Sequence, residues 1–594
     1  MIFAGFALFF KRIRLKYLQF YAKPYEEIKQ MILYDTIEKT IKEAIPELAD
    51  VTFDFQVSPD NQPGDFGLAC FAFAKTLKTA PPVIAGRIAA LSFPESITEV
   101  AVVGPYVNFN IDRNAFSTSL VREIFAKKES YGSGNSGAGK KVIIEHTSIN
   151  PNASPHIGRA RNGLIGDTIT RFLRFEGHDV DVHYYVNDMG KQIGLLALQT
   201  EGMGTLKFED VLELYVAANA RAKDDPEFEA KGLDMLAGME TGDPVVREKF
   251  KNIVDICLAG QLEVFDRLGF SFDTFDWESS YLNHPLMDEV LEMLEQRGSL
   301  FTDEHGRVVA DLEPLGYPIE EGRYIVLKRA NGSTMYMFRD IAYTLAKIDL
   351  GGDINMIVLG EDHKMYFDQM EVIVKAMGRI PPEAVHYSYI ILKDGKMSTR
   401  NGTVVLLEDF LDEAIRLAKE RVDEQCLDLP GEERTEIARM IGIGAVRFTI
   451  LSVRPNRNVV FDWESALSFT GDSGPYIQYS CTRISSIIRK VGGVPDGLDR
   501  EDITISHDAE WGLVFRLAAV SSDIMQSLST KNAGILATSA LDVARKFSTF
   551  YNACPVISAE SDTIRNSRLS LCIATRRILI NLLNLLGIEA PERM

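Results

Sequence analysis

The chain has 594 residues, 46% hydrophobic and 25% charged, with a net charge of −20 and six cysteines. Such a length implies several domains, and the balance is that of a soluble globular protein. The acidity excludes affinity for nucleic acid through bulk charge, so a nucleic-acid partner would need basic side chains gathered locally. The cysteines (70, 257, 426, 481, 554 and 572) show no CxxC spacing, which argues against a zinc ribbon or a disulfide frame and fits reduced cytosolic thiols.

Residues 1–30 run from an apolar stretch into the basic Lys11–Lys16. That order is the reverse of a secretory signal, and the apolar part is too short to span a bilayer. The segment reads as an extension outside the fold, with a membrane-surface or organellar leader as the alternative. Residues 31–115 predict a small α+β domain. Ile37, Ile41 and Ile45 mark a first helix, Gly64-Asp65-Phe66-Gly67 reads as a turn into a second over Ala69–Leu77, and Val103–Ile111 alternates like a strand. Tyr106 and Asn108 lie within that strand. Residues 116–139 read as a linker, flexible through Gly132–Gly139.

Residues 140–410 carry the chemistry. Lys141–Glu145 looks like a buried strand, Leu164, Ile165, Ile169, Phe172 and Leu173 share a helix face, Gly177 stops that helix, and Val180–Val186 is a second strand. Strand, turn, helix, strand is the order of a nucleotide-binding crossover. The turn Ser148–Arg159 is neither GxGxxG nor a Walker loop. It offers instead His156 and Gly158 at the mouth of a helix, where N–H groups and the dipole favour an anion. Gly158 would let a phosphate or an adenine approach the backbone. Taken alone, His156 reads first as a helix-capping surface histidine, and only the second motif changes that.

A helical acidic insertion, Leu195–Leu268, reads as scaffold. Glu278 follows in Phe275–Tyr281, where a solvated loop acid is the commoner outcome. Tyr336 and Asp340 lie four apart and share a helix face; ring and carboxylate suit a guanidinium, and suit a helix-surface pair equally. Ile354–Gly360 is a buried strand with Glu361-Asp362-His363 at its carboxyl end, the usual place for a ligand in an open parallel sheet. Another strand pattern, Tyr387–Leu392, leads into Lys393–Gly402, where Lys396 supplies a point charge and Ser398 a hydroxyl. From Leu411 the pattern is helical, a connecting segment over 411–470 and a bundle over 471–594. Tyr476 and Tyr479 occupy neighbouring helical positions there, where buried core tyrosines are the bland outcome.

The two motifs together resemble the HIGH and KMSKS signatures of class I aminoacyl-tRNA synthetases. Ser148-x-Asn150-Pro151, Tyr184–Asp188, the KMSTRxG form, Gly471–Tyr479 and the ending LLGIEAPERM narrow the resemblance to the arginyl-tRNA synthetase family, over about Met31–Met594. It implies an α/β protein: a Rossmann-like parallel-sheet catalytic domain, a small N-terminal α+β domain for the tRNA elbow, and a C-terminal all-α anticodon-binding bundle. It implies an arginine–tRNA ligase using ATP with Mg²⁺ and no protein-held metal, acting on L-arginine and tRNA(Arg) as a cytoplasmic monomer, not bound to membranes. His156 and Lys396 would be catalytic, with Gly158, Arg159, Met397 and Ser398 also on ATP. Ser148, Asn150, Glu278, Tyr336, Asp340 and His363 would hold arginine, Tyr106 and Asn108 would touch a D-loop base, and Tyr476 and Tyr479 would stack on the anticodon. Two departures stand out: Arg159 replaces the second signature histidine, and His363 falls where the family often has glutamine. A non-catalytic tRNA-binding relative and a ligase for another amino acid are the competing readings, and Glu278 with Asp340 favours a cationic substrate.

Overall fold

The computed structural model describes residues 33–57, 64–152, 154–204, 206–317, 322–393 and 405–594. The extension 1–30 and the site candidates Lys396, Met397 and Ser398 lie outside the described residues.

The first unit holds α1 (Leu33–Ala44), α2 (Phe71–Leu77), α3 (Pro81–Ala89) and four antiparallel strands. These are β1 (Phe55–Val57), β2 (Phe66–Ala69), β3 (Ile97–Val103) and β4 (Tyr106–Ile111), in the order β1-β2-β4-β3. Ile37, Ile41 and Ile45 are fully buried, as their spacing predicts. Phe66 and Gly67 form a strand, not the predicted turn, because they pair with Phe109 and Asn108. A Cβ on Gly67 would come 2.6 Å from the Asn108 Oδ1, so the glycine makes room for that side chain. The predicted strand Val103–Ile111 is the second arm of a hairpin turning at Gly104-Pro105.

The predicted linker is structured. Residues 113–127 form α4 (Arg113–Lys127), capped by Asp112. This helix docks on the C-terminal bundle through Arg113–Asp508 (2.9 Å) and Phe116 against Trp511 (5.7 Å). The glycine-rich stretch is fastened by the buried Glu176, which accepts from Gly134 N (2.9 Å), Ser136 N (3.1 Å) and Ser136 Oγ (2.8 Å).

The catalytic unit is built on β5 (Lys141–Glu145), α5 (Ile157–Phe175), β6 (Asp179–Val186) and β7 (Thr274–Trp277). The insertion between β6 and β7 is four helices, α6 (Lys191–Gln199), α7 (Phe208–Asp224), α8 (Pro226–Thr241) and α9 (Pro244–Asp266). After β7 come α10 (Pro285–Gln296), an antiparallel sheet of β8 (Leu300–Thr302), β9 (Val308–Asp311) and β10 (Tyr324–Lys328), and α11 (Tyr336–Asp349). Then follow β11 (Ile354–Gly360), α12 (Lys364–Ala376) and β12 (Glu383–Tyr387). The five-stranded sheet is parallel, in the order β12-β11-β5-β6-β7. The chain winds outward one way from β5 and returns on the other side through β11. The crevice between the carboxyl ends of β5 and β11 is therefore the topological switch point, where such sheets bind ligands.

Beyond it, β13 (Ile390–Leu392) pairs in parallel with β14 (Val459–Phe461). The helices α13 (Leu407–Gln425) and α14 (Gly431–Leu451) lead through the short α15 (Trp463–Ala466) to the bundle. The bundle comprises α16 (Gly474–Lys490), α17 (Asp508–Ala518), α18 (Val520–Thr530), α19 (Gly534–Ala553) and α20 (Asp562–Leu585).

Candidate active site

The main chain turns sharply where β5 ends. Thr147 and Ser148 have φ of 73° and 33°, a left-handed conformation that non-glycine residues adopt at a cost of about 1–3 kcal/mol each. Side chains hold it. Asn162 of α5 accepts from Thr147 N at 2.6 Å and donates to Val358 O of β11 at 2.8 Å, so one amide fixes both strands at the switch point. Ser148 Oγ accepts from Tyr185 N at 3.0 Å.

The turn delivers His156 to the N-cap of α5, with no side-chain bond to the helix. Its ring lies over Gly158: a Cβ there would come 3.0 Å from both Cε1 and Nδ1. Gly158 thus gives the imidazole its place, a packing role beyond the backbone access its sequence position suggests. Desolvation first, and the Arg159 charge second, lower the pKa of His156, which keeps it neutral at pH 7 with one N–H to donate. Arg159 also lies near Tyr387 at the end of β12, whose hydroxyl burial pushes up and Arg159 pulls down.

The chain that leaves the Lys396 segment returns to this spot. Leu406 bridges His156 in antiparallel register, Ile157 N donates to Val405 O at 3.0 Å, and Leu407 N donates to Pro155 O at 2.8 Å.

A second cluster lies at the ends of β6 and β7. Glu278 is 2% exposed, and its Oε1 accepts from Arg339 Nε at 2.7 Å. Arg339 also donates to Thr334 Oγ1 at 2.9 Å. The carboxylate expected to meet a substrate guanidinium therefore already holds an internal one. Asn187 sits between Glu278 and Asn150. With its nitrogen toward the carboxylate it donates to Glu278 Oε2 and to Met189 O (3.1 Å). Asp188 fixes the turn that carries Glu278 by accepting from Ser279 N (2.8 Å) and Ser279 Oγ (2.6 Å).

Asp340 and Tyr336 project from α11 as their spacing predicts. Asp340 Oδ2 accepts from Tyr366 OH at 2.7 Å. The Tyr336 and Tyr366 rings stack with centroids 5.4 Å apart and planes 6° from parallel. His363, exposed, meets the Tyr366 ring edge-on at 6.2 Å. Burial is the main reason that Glu278 is pushed up to about 7 and Asp340 to about 6; their mutual repulsion adds for Glu278, and Glu145 adds for Asp340. Glu145 itself is paired with the buried Lys347. The Tyr185 hydroxyl is buried without a hydrogen-bond partner among the described residues, raised by burial and then by Glu278 and Asp340. Sequence reading missed Tyr366, Tyr185, Asn187, Asp188 and Arg339. Of these, Tyr185, Asn187 and Asp188 lie in the Tyr184–Asp188 motif, so a signal for them was present.

The remaining candidates sit elsewhere. Tyr106 is 38% exposed and packs edge-on against the exposed Phe71 at 5.9 Å. Asn108, expected beside it on the same ligand, is 2% exposed, with its Oδ1 toward Gly67 and its Nδ2 buried without a partner among the described residues. Tyr476 is half-buried against the core. Tyr479 accepts from Arg483 at 3.2 Å, and the Arg483 guanidinium lies 4.8 Å from its ring and 5.0 Å from the Tyr551 ring.

Comparison with known proteins covers almost the whole chain. Residues 120–463 match the class I tRNA synthetase (R) catalytic domain, 477–594 the DALR anticodon-binding domain, and 32–111 the arginyl-tRNA synthetase N-terminal domain. The arginine–tRNA ligase of Methanocaldococcus jannaschii is 36% identical over 96% of this chain and 100% of its own. That of Methanopyrus kandleri is 36% identical over 94% and 97%. The solved arginyl-tRNA synthetase of Thermus thermophilus superposes with a TM-score of 0.77 at 28% identity, covering 95% of this chain and all of that one.

Proposed function

This chain belongs to the arginyl-tRNA synthetase family, and on that premise we propose how its residues divide the work of an arginine–tRNA ligase. In the first half-reaction a carboxylate oxygen of L-arginine attacks the α-phosphorus of ATP. The bond to the bridging oxygen breaks, and pyrophosphate leaves. In the second, a ribose hydroxyl of the terminal adenosine of tRNA(Arg) attacks the arginyl carbonyl, loses its proton and displaces AMP.

The protein orients the reactants and meets growing charge on phosphate. His156 donates its N–H to the triphosphate at the mouth of α5, where helix N–H groups also converge. Lys396, with Met397 and Ser398, approaches from the segment that rejoins the chain beside His156. Arg159 reaches the same phosphates in place of the second histidine. Mg²⁺ enters with ATP, whose oxygens bind it; among the described residues no cluster of three His, Cys, Asp or Glu side chains is placed to hold a metal.

Asp340, set by Tyr366, and the Tyr336 ring receive the substrate guanidinium, with His363 at the rim. Glu278, oriented by Arg339, ionises as the guanidinium arrives and adds long-range attraction. Ser148 and Asn150 face the α-amino and α-carboxyl end. The observation that carries this assignment is the Asp340–Tyr366–Tyr336 wall with Glu278 nearby, an acidic, aromatic face suited to a planar cation. Tyr106 with Phe71 takes the tRNA elbow, and Tyr479 with Arg483 and Tyr551, flanked by Tyr476, takes the anticodon. Because α4 and α13 run across the expected limits at 115 and 410, we place the domain boundaries between elements, at 33–112, 140–406 and 474–594, and we take the working unit to be one chain in the cytoplasm. No helix among the described residues is long and apolar enough to cross a membrane. Attachment of arginine to tRNA tests the assignment. Asp340→Asn is expected to raise KM for arginine by at least tenfold with a smaller change in kcat, and an unchanged KM would refute the wall.

A further inference from the structure

We propose that Arg161 is a positioning residue, which holds the stem of the Lys396 segment against the helix that carries His156. This rests on the reading that His156 and Lys396 act on one triphosphate. Arg161 lies on α5, fully buried. Among the described residues its guanidinium meets no carboxylate. Nη1 donates to Ser388 O at 2.5 Å and to Tyr389 O at 3.3 Å, and Nη2 donates to Arg454 O at 2.9 Å. Among the described residues its buried Nε has no partner.

These three carbonyls belong to the roots of one small platform. Ser388 and Tyr389 lead into β13, and Arg454 precedes β14. Ser388 N donates to Pro455 O (2.9 Å), Val459 N to Tyr389 O (2.9 Å), and Lys393 N to Phe461 O (3.1 Å). Ser388 Oγ donates to Glu361 Oε2 at 2.7 Å, which ties the root to the end of β11. The Lys396 segment leaves this platform after Lys393 and rejoins α5 at Val405 and Ile157. Both ends of the segment are therefore fastened to α5, one by the Arg161 fork and one by main-chain bonds at the helix mouth.

The chemistry of the residue supports a geometric role. A buried charge without a counter-charge is unfavourable, and an apolar side chain would fill the same space more cheaply. A planar fork is what can bind carbonyls of two chain segments at once. The next residue, Asn162, performs the matching task on the other side by holding β5 to β11. Successive residues of one helix thus register the sheet ends and the platform to a common frame.

The test uses the full chain with arginine, ATP and tRNA. Arg161→Lys keeps the charge and loses the fork. ATP–pyrophosphate exchange should slow about 10- to 100-fold, while the Kd for arginine, read by calorimetry, stays within twofold. Combined with Lys396→Ala it should add no further loss to that of Lys396→Ala alone. A residue with only a packing role would instead weaken arginine binding as well, and its loss would multiply with that of Lys396→Ala; either result overturns the proposal, as does a rate within twofold of the unaltered protein. Arg161→Gln serves as the second variant, and failure of both to fold would assign the residue to folding and overturn it too. Full activity of Lys396→Ala alone would overturn the underlying reading.

Discussion

Leu406 stands in antiparallel register with His156. The imidazole at the mouth of α5 and the chain leaving the lysine-bearing segment are therefore neighbours in space. If that mouth receives the triphosphate, His156→Ala should slow adenylate formation about 10²–10³-fold, the usual loss for one donor aimed at developing charge. ATP–pyrophosphate exchange reads the rate, and arginine affinity should not change.

Gly158 separates packing from stability. A methyl group there comes 3.0 Å from two atoms of the His156 ring and displaces it. Alanine is also the better helix former. Gly158→Ala should therefore raise KM for ATP while leaving the thermal midpoint equal or higher. A lower midpoint with normal ATP kinetics would contradict the role of the ring.

The acidic wall makes arginine binding depend on pH. Burial pushes Glu278 up to about 7 and Asp340 up to about 6 in the empty site. A guanidinium favours the ionised carboxylates, so binding should release protons and tighten between pH 6 and 8. Calorimetry in buffers of different ionisation enthalpy reads the release directly. Folding carries the opposite sign. The folded pKa values lie above the unfolded ones, near 4, so the folded state binds more protons and the contribution of these groups falls as pH rises through that window to about 7. Glu278→Gln should flatten both dependences.

Arg447 joins the catalytic unit to the bundle. Fully buried, it donates to Leu586 O at 2.7 Å, to Leu268 O, and to Asp167 of α5. Arg447→Ala leaves the Leu586 and Leu268 carbonyls without that donor and leaves Asp167 with Arg171 alone, at 2.9 Å. The expected loss is about 3–5 kcal/mol, the range for breaking a buried ion pair. Denaturant unfolding measures it, and a loss under about 1 kcal/mol would show that water or a neighbour replaces the guanidinium.

The site was legible where its signals are local. The strand, turn and helix around His156 follow from a run of buried residues and a helical period, and Tyr336 and Asp340 share a face because they lie four apart. What escaped depends on strand order and tertiary pairing. Tyr366 reaches Asp340 because α12 follows β11 on the far side of the switch point. Arg339 claims Glu278 from within α11, and nothing in a loop acid announces an internal partner. Glycines misled twice. Gly64 and Gly67 suggest a turn, yet the segment pairs with β4 and the glycines accommodate Asn108. Gly132–Gly139 suggests flexibility, yet one buried carboxylate on Glu176 fastens it.

ATP–pyrophosphate exchange across the twenty amino acids, with tRNA present, tests the central claim that the Asp340–Tyr366–Tyr336 wall selects arginine for activation by ATP. Exchange should appear with arginine and stay near background with the others, lysine included, because a point-charge ammonium lacks the planar fork that the carboxylate and stacked rings receive. Exchange driven equally by lysine, or by an uncharged amino acid, would contradict it.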